Sequence, residues 1–213
     1  MNFLPEEIDK YAEAHTKKES ELLYQLHRET WQKVVNPRML SGHIQGRVLS
    51  MFSKMIRPKR ILEIGTYTGY SALCLAEGLT DDGELITIDI NDELIPIQKK
   101  YFAASSLGNK IKSHSGDAEQ ILPQLDCNFD LVFLDADKSK YLIYYEYLMT
   151  HLPSGAVILI DNVLWSGKVL KPAELDDTET RVLQKLNDLV TQDERVENVL
   201  LTIRDGLMIA RKK

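Results

Sequence analysis

Apolar positions along the chain change their period near residue 60. Before that point Leu22, Leu23, Leu26 and Trp31 recur at helical spacing, and Val48, Leu49, Phe52, Met55 and Ile56 repeat the pattern after a break over 37–46. No strand signal occurs in this part. From Arg60 onward, short apolar runs alternate with helix-length segments, the signature of βαβ units and a parallel sheet. Strands are predicted at 61–64, 85–90, around 111–113, at 131–134 and at 157–160, with helices after Tyr70, Asp92, Ala118 and Ser139 and another over 178–190. The strand runs are nearly all apolar, which fits burial on both faces. The tail differs: 196–203, a turn at Asp205-Gly206 and 207–210 read as a hairpin, so an antiparallel edge strand is expected. The expected architecture is α/β: a Rossmann-like, mostly parallel sheet over 57–213 with helices on both faces, preceded by a helical extension over 1–56.

Composition narrows the class of partner. With 213 residues, 44% of them apolar and 27% charged, the chain resembles an ordinary globular domain able to bury a sizeable core. No apolar run reaches the length of a membrane span. Pro5, Glu6, Glu7 and Asp9 stand where a secretory leader would carry positive charge and then an apolar stretch, so a cytoplasmic location is expected. Cys74 and Cys127 lack CxxC or Cys/His spacing and read as reduced thiols. A net charge of -6 gives a nucleic acid no general reason to bind, which favours a small substrate.

Chemistry concentrates after the strands, along the edge where α/β sheets bind ligands. The run from Ile61 through Glu63, Gly65, Thr66, Tyr67, Thr68 and Gly69 to Ser71 goes strand, turn, helix. A dinucleotide fingerprint would place glycine where Tyr67 stands, and Glu63 would repel a pyrophosphate. S-adenosylmethionine has no phosphate, and its sulfonium and ammonium suit a carboxylate. No Gly-Lys-Ser/Thr follows for a P-loop, and the second glycine of a hydrolase elbow is missing. Asp89, twenty positions after Gly69, sits where a carboxylate accepts from ribose hydroxyls, and Asp117 would lie beside the adenine amino group or cap a helix. A ligand-free turn flanked by solvated acids is the competing reading.

Asp135 ends the fourth predicted strand, and Asp161-Asn162 ends the fifth. If those strands are neighbours, about 4.8 Å apart, three oxygen donors meet, a set suited to Mg²⁺, Ca²⁺ or Mn²⁺. Such an ion suits hydroxyl chemistry, because a phenol near pKa 10 must lose its proton to become nucleophilic. Lys138, beside Asp135, is the candidate base if a dication and desolvation depress its pKa. Asp137 is either a further ligand or a loop buttress, and Trp165 either stacks on a flat substrate or packs in the core. A surface ion-pair loop and an ordinary turn would explain the two acidic clusters separately. His43, without an acidic partner in sequence, reads as a surface histidine.

Together, the segments 63–71, 133–138 and 161–167 resemble the metal-dependent O-methyltransferases that include caffeoyl-CoA and catechol O-methyltransferases, over about residues 37–211. The resemblance implies a seven-stranded sheet with its last strand reversed. It places Met39, Ser41, Glu63, Gly65, Tyr67, Ser71, Asp89, Ala118 and Asp135 at the methyl donor, Asp135, Asp161 and Asn162 at the metal, and Lys138 as base. It also implies that the N-terminal helices shape the acceptor site and form homodimer contacts. No glutamate near 199–202 matches the one that anchors a second hydroxyl in the catechol branch. The expected acceptor is a small vicinal dihydroxy aromatic; alternatives are a hydroxylated tRNA base and a non-catalytic donor-binding role.

Overall fold

The computed structural model describes residues 5–213. Seven strands, β1 (Arg60–Ile64), β2 (Glu84–Asp89), β3 (Ile111–Ser115), β4 (Leu131–Leu134), β5 (Val157–Asp161), β6 (Val196–Leu201) and β7 (Leu207–Lys212), form one sheet in the order β3-β2-β1-β4-β5-β7-β6. Neighbours from β3 to β5 pair in parallel, whereas β7 runs antiparallel to both β5 and β6. The reversed last strand is therefore present, but it lies inside the sheet and not at the edge. Polarity explains the exchange: β7 buries Leu207, Met208 and Ala210, while β6 carries exposed Glu197, Asn198 and Val199 and takes the solvent-facing position. The opposite edge, β3, is likewise not the apolar run expected; Lys112 and Ser113 are exposed.

Eight α-helices complete the described residues: α1 (Glu6–Ala14), α2 (Glu21–Lys33), α3 (Gly42–Ile56), α4 (Tyr70–Ala76), α5 (Ile95–Ala104), α6 (Ala118–Ile121), α7 (Tyr141–His151) and α8 (Thr178–Gln192). Alternation along each central strand feeds two cores. Leu62, Ile64, Val132, Leu134, Ile158 and Ile160 pack with α7 and α8 on one face; Ile61, Leu131, Phe133 and Leu159 pack with α2 to α5 on the other. Each fully buried side chain of this size contributes roughly 1.5–3 kcal/mol of transfer free energy, so strand register is strongly specified.

The N-terminal helices depart from the predicted stripes. In α2 the buried face is Leu23, Leu26 and Thr30, and Trp31 is exposed; Met55 of α3 is exposed too. The Thr30 hydroxyl bonds the Leu26 carbonyl at 2.8 Å and Thr68 at 3.2 Å, fastening α2 to the turn after β1. The predicted break over 37–46 is shorter, because α3 begins at Gly42 and turns Gln45 inward. No described helix is long and apolar enough to cross a membrane.

Candidate active site

Register turns the strand ends into a row. Ile88, Ile64, Leu134 and Ile160 lie side by side, so the residues that follow them, Asp89, Gly65, Asp135 and Asp161, line the carboxyl edge of β2, β1, β4 and β5. At about 4.8 Å per strand, the position without a side chain leaves a gap of roughly 10 Å between Asp89 and Asp135. Only glycine fits there: φ is +105°, and a Cβ would lie 1.8 Å from the Asp135 carbonyl oxygen. Gly69, at φ +89°, starts α4 and leaves room for the Phe102 ring, which a Cβ would approach to 2.6 Å.

A cavity of about 1730 Å³ opens over this row. Met39, Gly65, Tyr67, Asp89, Ala118, Asp135, Lys138, Asp161, Asn162 and Trp165 all line it, as do Asp117 and Asp137. Ser41, Glu63 and Ser71 do not; each is buried behind the wall.

The β1–β2 side of the row is tied by bonds between neighbouring strand ends and their loops. Asp89 accepts the Tyr67 amide at 2.6 Å and the Asn91 amide at 2.8 Å, which closes the glycine turn while leaving lone pairs free. Glu63 is wholly buried rather than a solvated strand end. Burial, helped by Asp135 and Asp89, pushes its carboxyl up to about 8 against the Ser71 and Thr87 hydroxyls. Thr87 donates to Glu63 Oε2 at 2.5 Å, and Oε1 has no partner among the described residues. Such an orphaned acceptor beneath the turn suits a ligand ammonium. Asp117 caps α6 through the Glu119 amide at 2.9 Å, so the capping reading is realised on the cavity wall. Ile90 falls just beyond β2; it is 75% exposed and belongs to the cavity, not to the sheet.

The β4–β5 side of the row is tied by the nearby Lys138 and by Gln45 from a distant segment. Lys138 Nζ bonds Asp135 Oδ1 at 2.9 Å and the Ala136 carbonyl at 3.0 Å, and lies 5.2 Å from the centre of the Tyr141 ring. Burial alone would lower its pKa, but Tyr141 and Asp135 outweigh burial and push it above the ordinary lysine range. The depression expected beside a dication concerns a different arrangement, because Asp135 is here engaged by the amine. Asp161 is 4% exposed and accepts Gln45 Nε2 at 2.6 Å. Burial and then Asp135 push its carboxyl up to about 7, against Gln45, Lys138 and Arg204. A buried carboxyl raised by desolvation beside a second acid is one whose charged form a dication would favour. Among the described residues no three or more His, Cys, Asp or Glu side chains cluster around a metal position, and any cation here would need the Asn162 side chain beside the two carboxyls. Asn162 itself sits at φ +61°.

Asp137 caps the turn after β4 by accepting the Ser139 amide at 2.9 Å, the buttress of the two roles open to it. Trp165 lines the cavity, with its ring 6.0 Å from Lys138 Nζ and its buried Nε1 unpartnered among the described residues. His43 lies away from the cavity wall; it bonds the Lys17 carbonyl at 2.8 Å and stands 3.6 Å from Glu13, an acidic partner invisible in sequence spacing. Gln45 and Arg204 escaped sequence reading, since neither belongs to an acidic or glycine motif.

Fold and strand-edge site together define the class I, S-adenosylmethionine-dependent methyltransferases. The sequence profile described as O-methyltransferase matches residues 13–213, reaching further into the N-terminal helices than the motifs alone suggested. The caffeoyl-CoA O-methyltransferase of Populus kitakamiensis is 35% identical over 207 residues, covering 91% of this chain and 87% of the relative. That of Petroselinum crispum is 34% identical, covering 82% and 77%. Among solved structures, the O-methyltransferase TomG of Streptomyces achromogenes in complex with SAM superposes with a TM-score of 0.89 at 27% identity, covering 97% of this chain and 96% of that one. SAH-bound PaMTH1 of Podospora anserina gives 0.88 at 29% identity, covering 100% and 99%. The chain belongs to the O-methyltransferase family.

Proposed function

We propose that this enzyme moves the methyl group of S-adenosylmethionine onto one hydroxyl of a small vicinal dihydroxy aromatic, such as a caffeoyl ester, with a divalent cation, Mg²⁺ first and Ca²⁺ or Mn²⁺ as alternatives. The observation that carries this reading is the row Asp89, Gly65, Asp135, Asp161 beneath one cavity. When bound, the donor supplies an electrophilic methyl and the cation lowers the pKa of a coordinated hydroxyl. Asp89 accepts from the ribose hydroxyls, Tyr67 and Ala118 shape the purine side, and Glu63, behind the wall, balances the donor's ammonium from beneath the glycine turn. Met39, Ser41 and Ser71 close the methionine end. Asp135, Asp161 and Asn162 hold the cation, and Trp165 stacks on the acceptor ring. With Asp135 drawn to the cation, Lys138 would lose its ion-pair partner and, as the neutral amine, take the hydroxyl proton at Nζ. Its charge depends on Asp135, the same carboxylate that the cation draws upon.

We assign segment 1–56 a capping role, supported by Asn36 to Met39 on the cavity wall. Exposed Tyr24, Trp31, Met51 and Met55 on these helices support a homodimer, and the free Cys74 and Cys127 fit a cytoplasmic setting. The test is a methyl-transfer assay with S-adenosylmethionine against caffeic acid, a caffeoyl thioester, catechol and hypomodified tRNA, each with Mg²⁺ and with EDTA. Transfer to a dihydroxy aromatic should stop in EDTA and fall more than about 100-fold in Asp161→Ala. Transfer to tRNA alone, or turnover indifferent to chelator, would overturn the reading.

A further inference from the structure

Arg204 lies in the turn between β6 and β7 at φ +48°, a left-handed position that a bulky residue keeps only where its surroundings hold it. Its guanidinium crosses the mouth of the cavity to a segment more than 150 residues away in sequence: Nη1 bonds the Leu40 carbonyl at 2.9 Å, the Ser41 carbonyl, and Gln45 Oε1 at 3.0 Å. Gln45, 2% exposed, then donates from Nε2 to Asp161 Oδ2 at 2.6 Å. The amide can face only one way, because Arg204 has donors alone and an ionised Asp161 has acceptors alone. The second Asp161 oxygen accepts the Asn162 amide at 2.8 Å, so both oxygens of the carboxyl are oriented before any ligand arrives.

We propose that Gln45 and Arg204 are positioning residues: Gln45 sets the Asp161 carboxylate for cation binding, and Arg204 holds Gln45 together with the Leu40–Ser41 backbone that closes the donor site. One guanidinium thus joins the Leu40–Ser41 backbone of the donor half, through Gln45, to the carboxylate of the acceptor half. The inference rests on the cation reading above, and the experiment separates the two.

Full-length wild type, Gln45→Leu, Arg204→Met and Arg204→Lys are titrated with Mn²⁺ and separately with S-adenosylhomocysteine by calorimetry, without acceptor, after their melting curves confirm folding. Gln45→Leu should weaken Mn²⁺ binding about 10-fold, as loss of a ligand-orienting partner does, and leave S-adenosylhomocysteine within about 2-fold. Arg204→Met should weaken both ligands, and Arg204→Lys, which keeps the charge and fewer donors, should recover part of the loss. Mn²⁺ affinity unchanged in folded Gln45→Leu overturns the Gln45 role. S-adenosylhomocysteine affinity unchanged in Arg204→Met overturns the Arg204 role. A wild type that binds no Mn²⁺ overturns the cation reading and the Gln45 role with it, while the S-adenosylhomocysteine titration still decides the role of Arg204. Should Arg204→Met fail to fold, the Arg204→Lys titration decides in its place.

Discussion

The two halves of the cavity hold their carboxylates by different means. On the donor side Asp89 is bound by the backbone amides of Tyr67 and Asn91, both within the β1 and β2 crossover loops. On the acceptor side Asp135 and one oxygen of Asp161 are held by side chains, Lys138 and Gln45, the second of which depends on Arg204 from the far end of the chain, while the other Asp161 oxygen takes the backbone N–H of Asn162. Backbone donors survive most substitutions, whereas side-chain donors can be exchanged one at a time. The donor half is therefore fixed by topology, and the acceptor half is the part that substitution can retune without loss of fold.

The comparison breaks most severely where the halves meet. Gly65→Ala would drive a Cβ to 1.8 Å from the Asp135 carbonyl at a left-handed φ, and should cost about 3 kcal/mol or more, read as a lowered urea midpoint with both binding functions lost together. Lys138→Met should lower kcat about 100-fold while S-adenosylhomocysteine affinity stays within about 2-fold, the split expected of a proton acceptor confined to the acceptor half. Equal losses in both would assign Lys138 to folding instead. Asp89→Ala should weaken S-adenosylhomocysteine about 10-fold, the loss of charge-assisted hydrogen bonds, with kcat at saturating donor little changed.

An effect on stability alone, without change in ligand binding, lies behind the donor half, where α3 is pinned to the end of α4. Burial would raise the Glu77 carboxyl, but hydrogen bonds from Arg47, Lys54 and Ser50 outweigh it and hold it at about 2. Because the folded pKa lies below the ordinary 4.5, this stability is fully present above about 4.5 and is lost as pH falls toward 2. Unfolding free energies from urea titrations should decline across that window by on the order of 2 kcal/mol after allowance for solvent screening, and Glu77→Gln should flatten that part of the slope.

Legibility in the sequence followed the range of the interactions. Strands β1, β4 and β5 are readable to within a residue at each end, because each buries both faces and so reads as an apolar run, broken in β1 only by Glu63. Ile90 misled for the same reason: its hydrophobicity serves the cavity rather than the sheet. The hairpin was legible from Asp205-Gly206, but the insertion of β7 beside β5 depended on comparing the polarity of two strands. In the site, the row of acids was visible because each ends its own strand. Gln45 was hidden inside an expected break, and Arg204 was an unremarkable turn residue until the chain brought both to Asp161. The burial of Glu63 was equally invisible, since an acid before a glycine turn reads the same whether it faces solvent or a core.

The most direct measurement is a crystal structure of the enzyme soaked with S-adenosylhomocysteine and Mn²⁺, with anomalous data collected near the manganese edge. The expected map has one anomalous peak within coordination distance of Asp135, Asp161 and Asn162, and the donor product lying over Gly65 with its ribose against Asp89. An anomalous peak elsewhere, or none while the donor product is bound, would contradict the assignment of these three residues as the cation site.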